Sequence, residues 1–167
     1  MCIRDRIYAY EKDISRRLLK YLINYELVNY YDQLTSILLD SLKMNEKSLC
    51  EKWFGNEENI IKARDNGHII GNHGKSHKSY ETLTNIEIKN EIIDSNKYLE
   101  DLLNEKISAF SHPQGGDNGD KNQFVREILA DLNYKACFNI NSTDNSSIIK
   151  PLDIPRYDAM LLSEKKV

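Results

Sequence analysis

The chain has no excess of one charge, no long apolar run and only three cysteines, and each of these shortages removes a class of function. Twenty-three Lys and Arg stand against twenty-six Asp and Glu, for a net charge of -3. The two signs are interspersed, so no basic stripe tracks a phosphate backbone and nucleic acid is not an expected partner. No apolar run approaches the roughly 20 residues that a bilayer-crossing helix needs, so no transmembrane segment is expected. Cys2, Cys50 and Cys137 are odd in number and far apart, which suits free thiols better than a disulfide framework and favours a reducing compartment such as the cytoplasm. What remains, 40% hydrophobic and 29% charged residues in 167, describes a globular chain of one-domain size with a core to bury.

The first six residues, Met-Cys-Ile-Arg-Asp-Arg, differ in character from the rest of the chain. They have no signal-peptide apolar region and no strand alternation, and they are similar to adapter sequence translated at the ends of some metagenomic reading frames. We read residues 1–6 as a non-native junction and 7–167 as a single, partial domain. On that reading the native chain extends upstream, which leaves room for a lost leader or anchor.

From Glu11 to Leu27, Ile14, Leu18, Leu19, Leu22 and Ile23 recur at helical spacing, and Gln33 to Leu42 repeats the pattern. Tyrosines 21, 25, 30 and 31 fall on these stretches and are assigned to helix packing, not to sugar stacking. Glu57 to Asn66 makes a further helix stopped by Gly67. Strand and helix then alternate. A short strand at His68 to Gly71 precedes a long helix over Thr84 to Leu103, opened by the capping box Thr84-Asn85-Ile86-Glu87. A strand at Ile107 to Ser111 comes next, then a helix capped by Asp120 with Val125, Ile128, Leu129 and Leu132 on one face, then a strand at Tyr134 to Phe138. Strands joined through helices run parallel. The loops at His73 to Tyr80, His112 to Gly119 and Asn139 to Ser146 should therefore emerge on one rim, where α/β folds place their chemistry.

Three of the four histidines lie in Gly67 to His77. His73 and His77, four residues apart in a glycine-loosened loop after an apolar run, have the spacing of a half-built metal site, although such a pair taken alone can be an ordinary surface feature. Ser111-His112-Pro113-Gln114-Gly115-Gly116 is, taken alone, an ordinary turn. On one rim, the loop would face the histidine pair.

These residues resemble the polysaccharide deacetylases of the NodB-homology type. The resemblance runs over about 59–158 and is densest in Gly67-His68-Ile69-Ile70-Gly71-Asn72-His73-Gly74-Lys75-Ser76-His77, which is similar to that family's metal motif. The Leu83-Thr84-x-x-Glu87-Ile88-x-x-Glu91-Ile92 helix, the Phe110 to Gly116 loop and the Val125 to Ala136 segment come in the family's order. The resemblance implies an α/β fold, a partial distorted (β/α) barrel with a helical N-terminal portion, and a divalent metal, usually zinc. The implied reaction removes N-acetyl groups from the amino sugars of a polysaccharide or its precursor. His73 and His77 take the places of metal-binding histidines. Ser111, Pro113, Gln114 and Gly115 correspond to the groove-forming motif, with Ser111 where many members carry arginine and Gln114 where they carry an aromatic. Ile154-Pro155-Arg156-Tyr157-Asp158 is similar to a terminal strand bearing an arginine, which adds Arg156 to the substrate-binding candidates.

The departure lies upstream. The family's Thr-Phe-Asp-Asp strand, which supplies the base and the third metal ligand, has no counterpart before His73. No histidine comes after Lys121, so His112 is the spare imidazole for the catalytic acid. Two ligands without a base predict weak metal binding and little or no hydrolysis by these residues alone. Three readings remain: a truncated metal-dependent deacetylase, a non-catalytic relative that binds glycan, and a helical interaction domain with incidental histidines.

Overall fold

The computed structural model describes residues 11–115, 119–139 and 150–156, with the side chains of 115–120 left aside. The expected junction at 1–6 and most of the loop after Asn139 lie outside these residues, as do Tyr157 and Asp158. The chain divides into two compact units, Met1–Asn56 and Glu57–Val167.

The first unit is helical. α1 (Ile14–Tyr21) starts at Asp13, whose carboxylate accepts from Arg16 N at 3.0 Å, satisfying one of the amides that an α-helix leaves unpaired at its start. The single long helix expected over Glu11 to Leu27 is broken after Tyr21. Leu22–Glu26 winds as a π turn closed by Leu27 N donating to Leu22 O, and a 3₁₀ turn, Val28–Tyr30, comes after it. Asn24 lies in the break and donates from its side chain to Lys20 O at 2.9 Å, the local side-chain competition that disturbs helix interiors. α2 (Tyr31–Ser41) matches the second expected helix. α3 (Glu46–Trp53), which apolar spacing did not announce, is capped by Asn45 accepting from Ser48 N at 3.0 Å. Among the described residues of this unit Val28 alone is a buried hydrophobic, while Ile14, Ile37, Leu42, Trp53 and Phe54 are all more than 60% exposed. Tyr21 and Tyr25 stack at 5.5 Å, but Tyr30 and Tyr31 are exposed. The five short helical pieces described there bury too little apolar surface for a core of their own.

The second unit holds the core. α4 (Glu57–Asp65) ends as expected at Gly67, whose φ is +87°. Gly67 N donates to Arg64 O and His68 N to Ala63 O, the paired bonds of a Schellman ending that require a left-handed residue there. α5 (Asn85–Leu103) carries the complete capping box, with Thr84 Oγ1 accepting from Glu87 N and Glu87 accepting from Thr84 N. It ends at Asn104 in the left-handed region. Three parallel strands form one sheet in the order β1 (Ala109–Ser111), β2 (Ala136–Asn139), β3 (Ile154–Pro155), with Phe110 opposite Cys137 and Phe138 opposite Ile154. α6 (Gly119–Asp131) links β1 to β2 and opens at Gly119, so Asp120 sits inside its first turn and not at its cap. Ile88 and Ile92 from α5, Val125 and Leu129 from α6, and Phe110 and Cys137 from the sheet are all at most 1% exposed and form the core.

The strand expected at His68 to Gly71 is not one. Its place is taken by a single parallel bridge between Asn72 and Phe110, with Asn72 N donating to Ala109 O and Ser111 N to Asn72 O. Gly67 and Gly71 supply no packing side chain, and a Cβ on Gly71 would come within 3.1 Å of Ala109 O. The backbone approaches β1 closely, and a strand is not sustained. The bridge still aligns the segment with the sheet, so His73, His112 and Arg156 all come directly after their pairing positions at the same edge. The expected common rim is present for His73 and His112, Arg156 joins it at the end of β3, and the third expected loop, after Asn139, lies outside the described residues. Among the described residues no helix is long and apolar enough to cross a membrane, and Cys50 and Cys137 are free thiols.

Candidate functional site

The histidine loop leaves the sheet at Asn72, a buried residue whose side chain is fully engaged. Asn72 Nδ2 donates to Ile92 O and Tyr134 Oη, and Asn72 Oδ1 accepts from Gly74 N at 2.8 Å and from Ser95 Oγ at 2.8 Å. Tyr134 in turn donates to Asn96 Oδ1 at 2.6 Å. Such a network tolerates little displacement, because each unpaired group would be left buried. Gly74 comes next with φ +78°, and a Cβ there would meet Tyr80 Oη at 2.9 Å and Pro113 Cγ at 3.2 Å. Only glycine suits both demands.

Past Gly74 the loop is held from α5. Glu91 Oε2 accepts from Lys75 N at 2.9 Å and Ser76 N at 2.7 Å, while Glu91 Oε1 accepts from Ser76 Oγ at 2.8 Å. Lys75 turns its ammonium to Asp94 at 3.0 Å. His77 then adopts φ +56°, an unfavourable backbone for a side chain of this size that the surrounding contacts must sustain.

The loop brings His73 and His77 together, with ring centroids 4.9 Å apart and planes at 63°. Two imidazoles sharing one tetrahedral zinc, with Zn–N bonds of about 2.0–2.1 Å, have centres about 5 Å apart. The pair has the right separation. His73 Nδ1 lies 2.7 Å from Ser111 O, and a carbonyl can only accept, so Nδ1 carries the proton and Nε2 presents its lone pair. That is the ligating tautomer held by a backbone carbonyl. His77 has its pKa lowered, first by partial desolvation, then by the charges of His73 and Arg156, which keeps it neutral and competent to bind a metal. Gln114 Nε2 can only donate, so its 3.2 Å contact makes His77 Nδ1 the acceptor. His73 thus presents a free ligating nitrogen, and His77 fits as the second ligand of a zinc-type ion once its Nδ1 is released from Gln114. Among the described residues no cluster of three or more His, Cys, Asp or Glu could hold one.

The remaining candidates distribute around this pair. Gln114, in a 3₁₀ turn Pro113–Gly115, has φ +54° and places its amide nitrogen 3.2 Å from His77 Nδ1. Arg156, after β3, donates from Nη1 to Ser111 Oγ at 2.6 Å. Ser111 thus bridges two candidates, its carbonyl to His73 and its hydroxyl to Arg156. Pro113 is buried and packs toward Gly74; Gly115 closes the turn.

His112 is set apart. It is 3% exposed, sits edge-on to Phe110 and Tyr80, and its pKa falls to about 4, first through burial and then through the Arg126 charge. An imidazole so placed holds no proton to give at neutral pH. Among the described residues His112 Nδ1 and Tyr80 Oη are buried side-chain atoms without a hydrogen bond.

A cleft of about 520 Å³ runs along β1, lined by Ile69, His73, Ala109, Ser111, Ala136 and Phe138. A second, of about 600 Å³, lies on the other side of the loop against Lys75, Asp94, Ser95 and Tyr98. His73 lines both. A third of about 630 Å³, between α6 and the segment entering β3, contains Arg126 and Asp153 but no histidine.

The family model for polysaccharide deacetylases matches residues 15–137, which include the whole histidine loop and α5. The chain belongs to the polysaccharide deacetylase family. Among solved structures it is similar to the Streptococcus pyogenes deacetylase PplD in complex with acetate, at 24% identity and a TM-score of 0.55, over 65% of this chain and 48% of that one. It is also similar to a mutant of BA3943, a CE4 family pseudoenzyme, with restored enzymatic activity, at 24% identity and a TM-score of 0.44, over 49% of this chain and 29% of that one. At these identities the likeness to PplD carries the fold alone, and the chain spans about half of that deacetylase's length. No curated protein matches.

The small parallel sheet with flanking helices is what a partial deacetylase fold of this family presents. Two supports of the histidine loop went unassigned from sequence. Asn72 and Glu91 both lie in segments that resemble the family's motifs, but a side chain that binds backbone amides leaves no spacing signal of its own.

Proposed function

We propose that this polysaccharide deacetylase family chain carries the metal-binding loop of a metal-dependent hydrolase that removes N-acetyl groups from amino sugars of a polysaccharide or its precursor. The reading rests on one observation above the others: His73 and His77 lie 4.9 Å apart with His73 Nδ1 locked on Ser111 O. His73 and His77 are the ligands, and zinc is the divalent ion that suits an imidazole pair with open positions. When bound, such an ion polarises an amide carbonyl and lowers the pKa of water toward about 7.

The chain's own groups then position the glycan. Gln114 and Arg156 place an amide and a guanidinium beside the pair, suited to sugar hydroxyls and carbonyls. Ser111, Pro113 and Gly115 shape the wall, and the apolar part of the β1 cleft accepts a small methyl-bearing group. Among the described residues no third His, Cys, Asp or Glu joins the pair as a metal ligand, and Glu91, the carboxylate bound to the loop, is occupied by its amides. The 167 residues alone should bind zinc weakly and release acetate slowly or not at all.

That shortage also favours a second reading, a non-catalytic relative that binds glycan without hydrolysing it. Free amine released from an N-acetylated oligosaccharide by the zinc-loaded chain, set against retention of the same sugar on the protein, separates the two. Zinc affinity equal in wild type and His73→Ala contradicts both, and returns the histidines to incidental surface residues on a helical interaction domain.

A further inference from the structure

The histidine loop turns three consecutive amides, those of Gly74, Lys75 and Ser76, toward acceptors on one side. Asn72 Oδ1 takes the first and Glu91 Oε2 takes the other two, with Ser76 Oγ on Glu91 Oε1. Bonds from a carboxylate to backbone N–H groups are charge-assisted and stronger than neutral ones. Glu91 is half-buried on α5, one turn after the fully buried Ile88 and next in the chain to the fully buried Ile92. The helix that carries it is therefore anchored in the core. Lys75 does not compete for the carboxylate, because its ammonium is on Asp94. The backbone amides of Lys75 and Ser76 converge on one side chain, sixteen and fifteen residues away.

From this we infer that Glu91 is the positioning residue of the metal loop: its carboxylate sets the backbone path from His73 to His77 and thereby the spacing of the two imidazoles. The inference rests on the metal reading above for its purpose, but not for its geometry. Glu91 acts through the amides of Lys75 and Ser76 and the Ser76 hydroxyl, so it is not a catalytic residue. Its role is to hold His77 at φ +56°, a conformation that a free loop would leave.

The test uses the whole chain and two readouts, zinc affinity by chelator competition and amide hydrogen exchange at Lys75 and Ser76. Glu91→Gln keeps the size of the side chain but loses the charge and one acceptor oxygen. It should weaken zinc binding about tenfold or more, the usual cost of removing an outer support of a metal ligand, and speed exchange at both amides. Glu87→Gln is the control, since it weakens the capping box of the same helix without touching the loop. It should lower the melting temperature and leave zinc affinity within about twofold of wild type. Should Glu91→Gln fail to fold, Ser76→Ala removes one of the three bonds and should still speed exchange at Ser76. Unchanged exchange at Lys75 and Ser76, or zinc affinity unchanged in Glu91→Gln, overturns the inference. If wild type takes up no zinc, the metal reading fails by itself and the exchange rates alone decide whether Glu91 holds the loop.

Discussion

The two units carry similar apolar patterns and use them differently. In the first, Ile14, Ile37 and Leu42 recur at helical spacing and remain mostly exposed; in the second, Ile88, Ile92 and Leu129 recur at the same spacing and are completely buried. Periodicity reports which face of a helix is apolar, not whether anything covers it. A three-stranded sheet makes the difference. It offers α5 and α6 a flat apolar partner, and the first unit contains no such sheet among its described residues. The functional candidates obey the same division, since every one of them lies in the unit with a sheet.

Substitutions can sharpen that contrast. Ile92→Ala opens a hole in the second unit's core and should cost about 2–5 kcal/mol, measured by urea unfolding. Ile37→Ala, at a position 63% exposed, should stay within about 0.5 kcal/mol; a comparable loss at both sites would erase the distinction between the units.

Acid should also act through the second unit. An unfolded imidazole titrates near 6.5, but folded His112 near 4. Between those values the unfolded chain binds the extra proton, so stability is complete above pH 6.5 and falls as pH drops toward 4, by about 3 kcal/mol in total. His112→Phe should flatten that fall, seen as unfolding midpoints that change less between pH 7 and pH 4. A wild-type profile already flat over this range would mean that His112 meets water.

Smaller effects probe the loop and the helix that supports it. Gly74→Ala combines a left-handed backbone with a Cβ 2.9 Å from Tyr80 Oη and should cost about 2 kcal/mol, with zinc affinity falling alongside in a chelator titration. Thr84→Ala removes the α5 cap and should cost about 1 kcal/mol with zinc affinity unchanged. If the cap variant loses zinc and the glycine variant does not, the loop's shape comes from the helix end and not from its own contacts.

Local chemistry made several features legible in the sequence. Gly67 announced its helix ending, Thr84 and Glu87 their capping box, and the helices around β1 and β2 the parallel order that puts His73 and His112 on one rim. The histidine motif pointed to the family directly. Other features depend on partners distant in the chain. The segment 68–71 looks like a strand because Ile69 and Ile70 are apolar, yet with Gly67 before it and Gly71 at its end it pairs only through the bridge at Asn72. α3 lacks a clear apolar stripe and rests on its Asn45 cap. Glu91 looks like one more surface carboxylate on a helix until the fold brings Lys75 and Ser76 to it. His112 reads as a rim acid until its burial between Phe110 and Tyr80 is known.

The most direct test of the metal site is the long-range proton–nitrogen spectrum of the histidine rings, recorded before and after zinc is added to the whole chain. The account predicts that His73 carries its proton on Nδ1 without metal and that zinc shifts the ring nitrogens of His73 and His77 together, leaving His68 and His112 in place. His73 protonated on Nε2, or both rings unmoved by zinc, would contradict it.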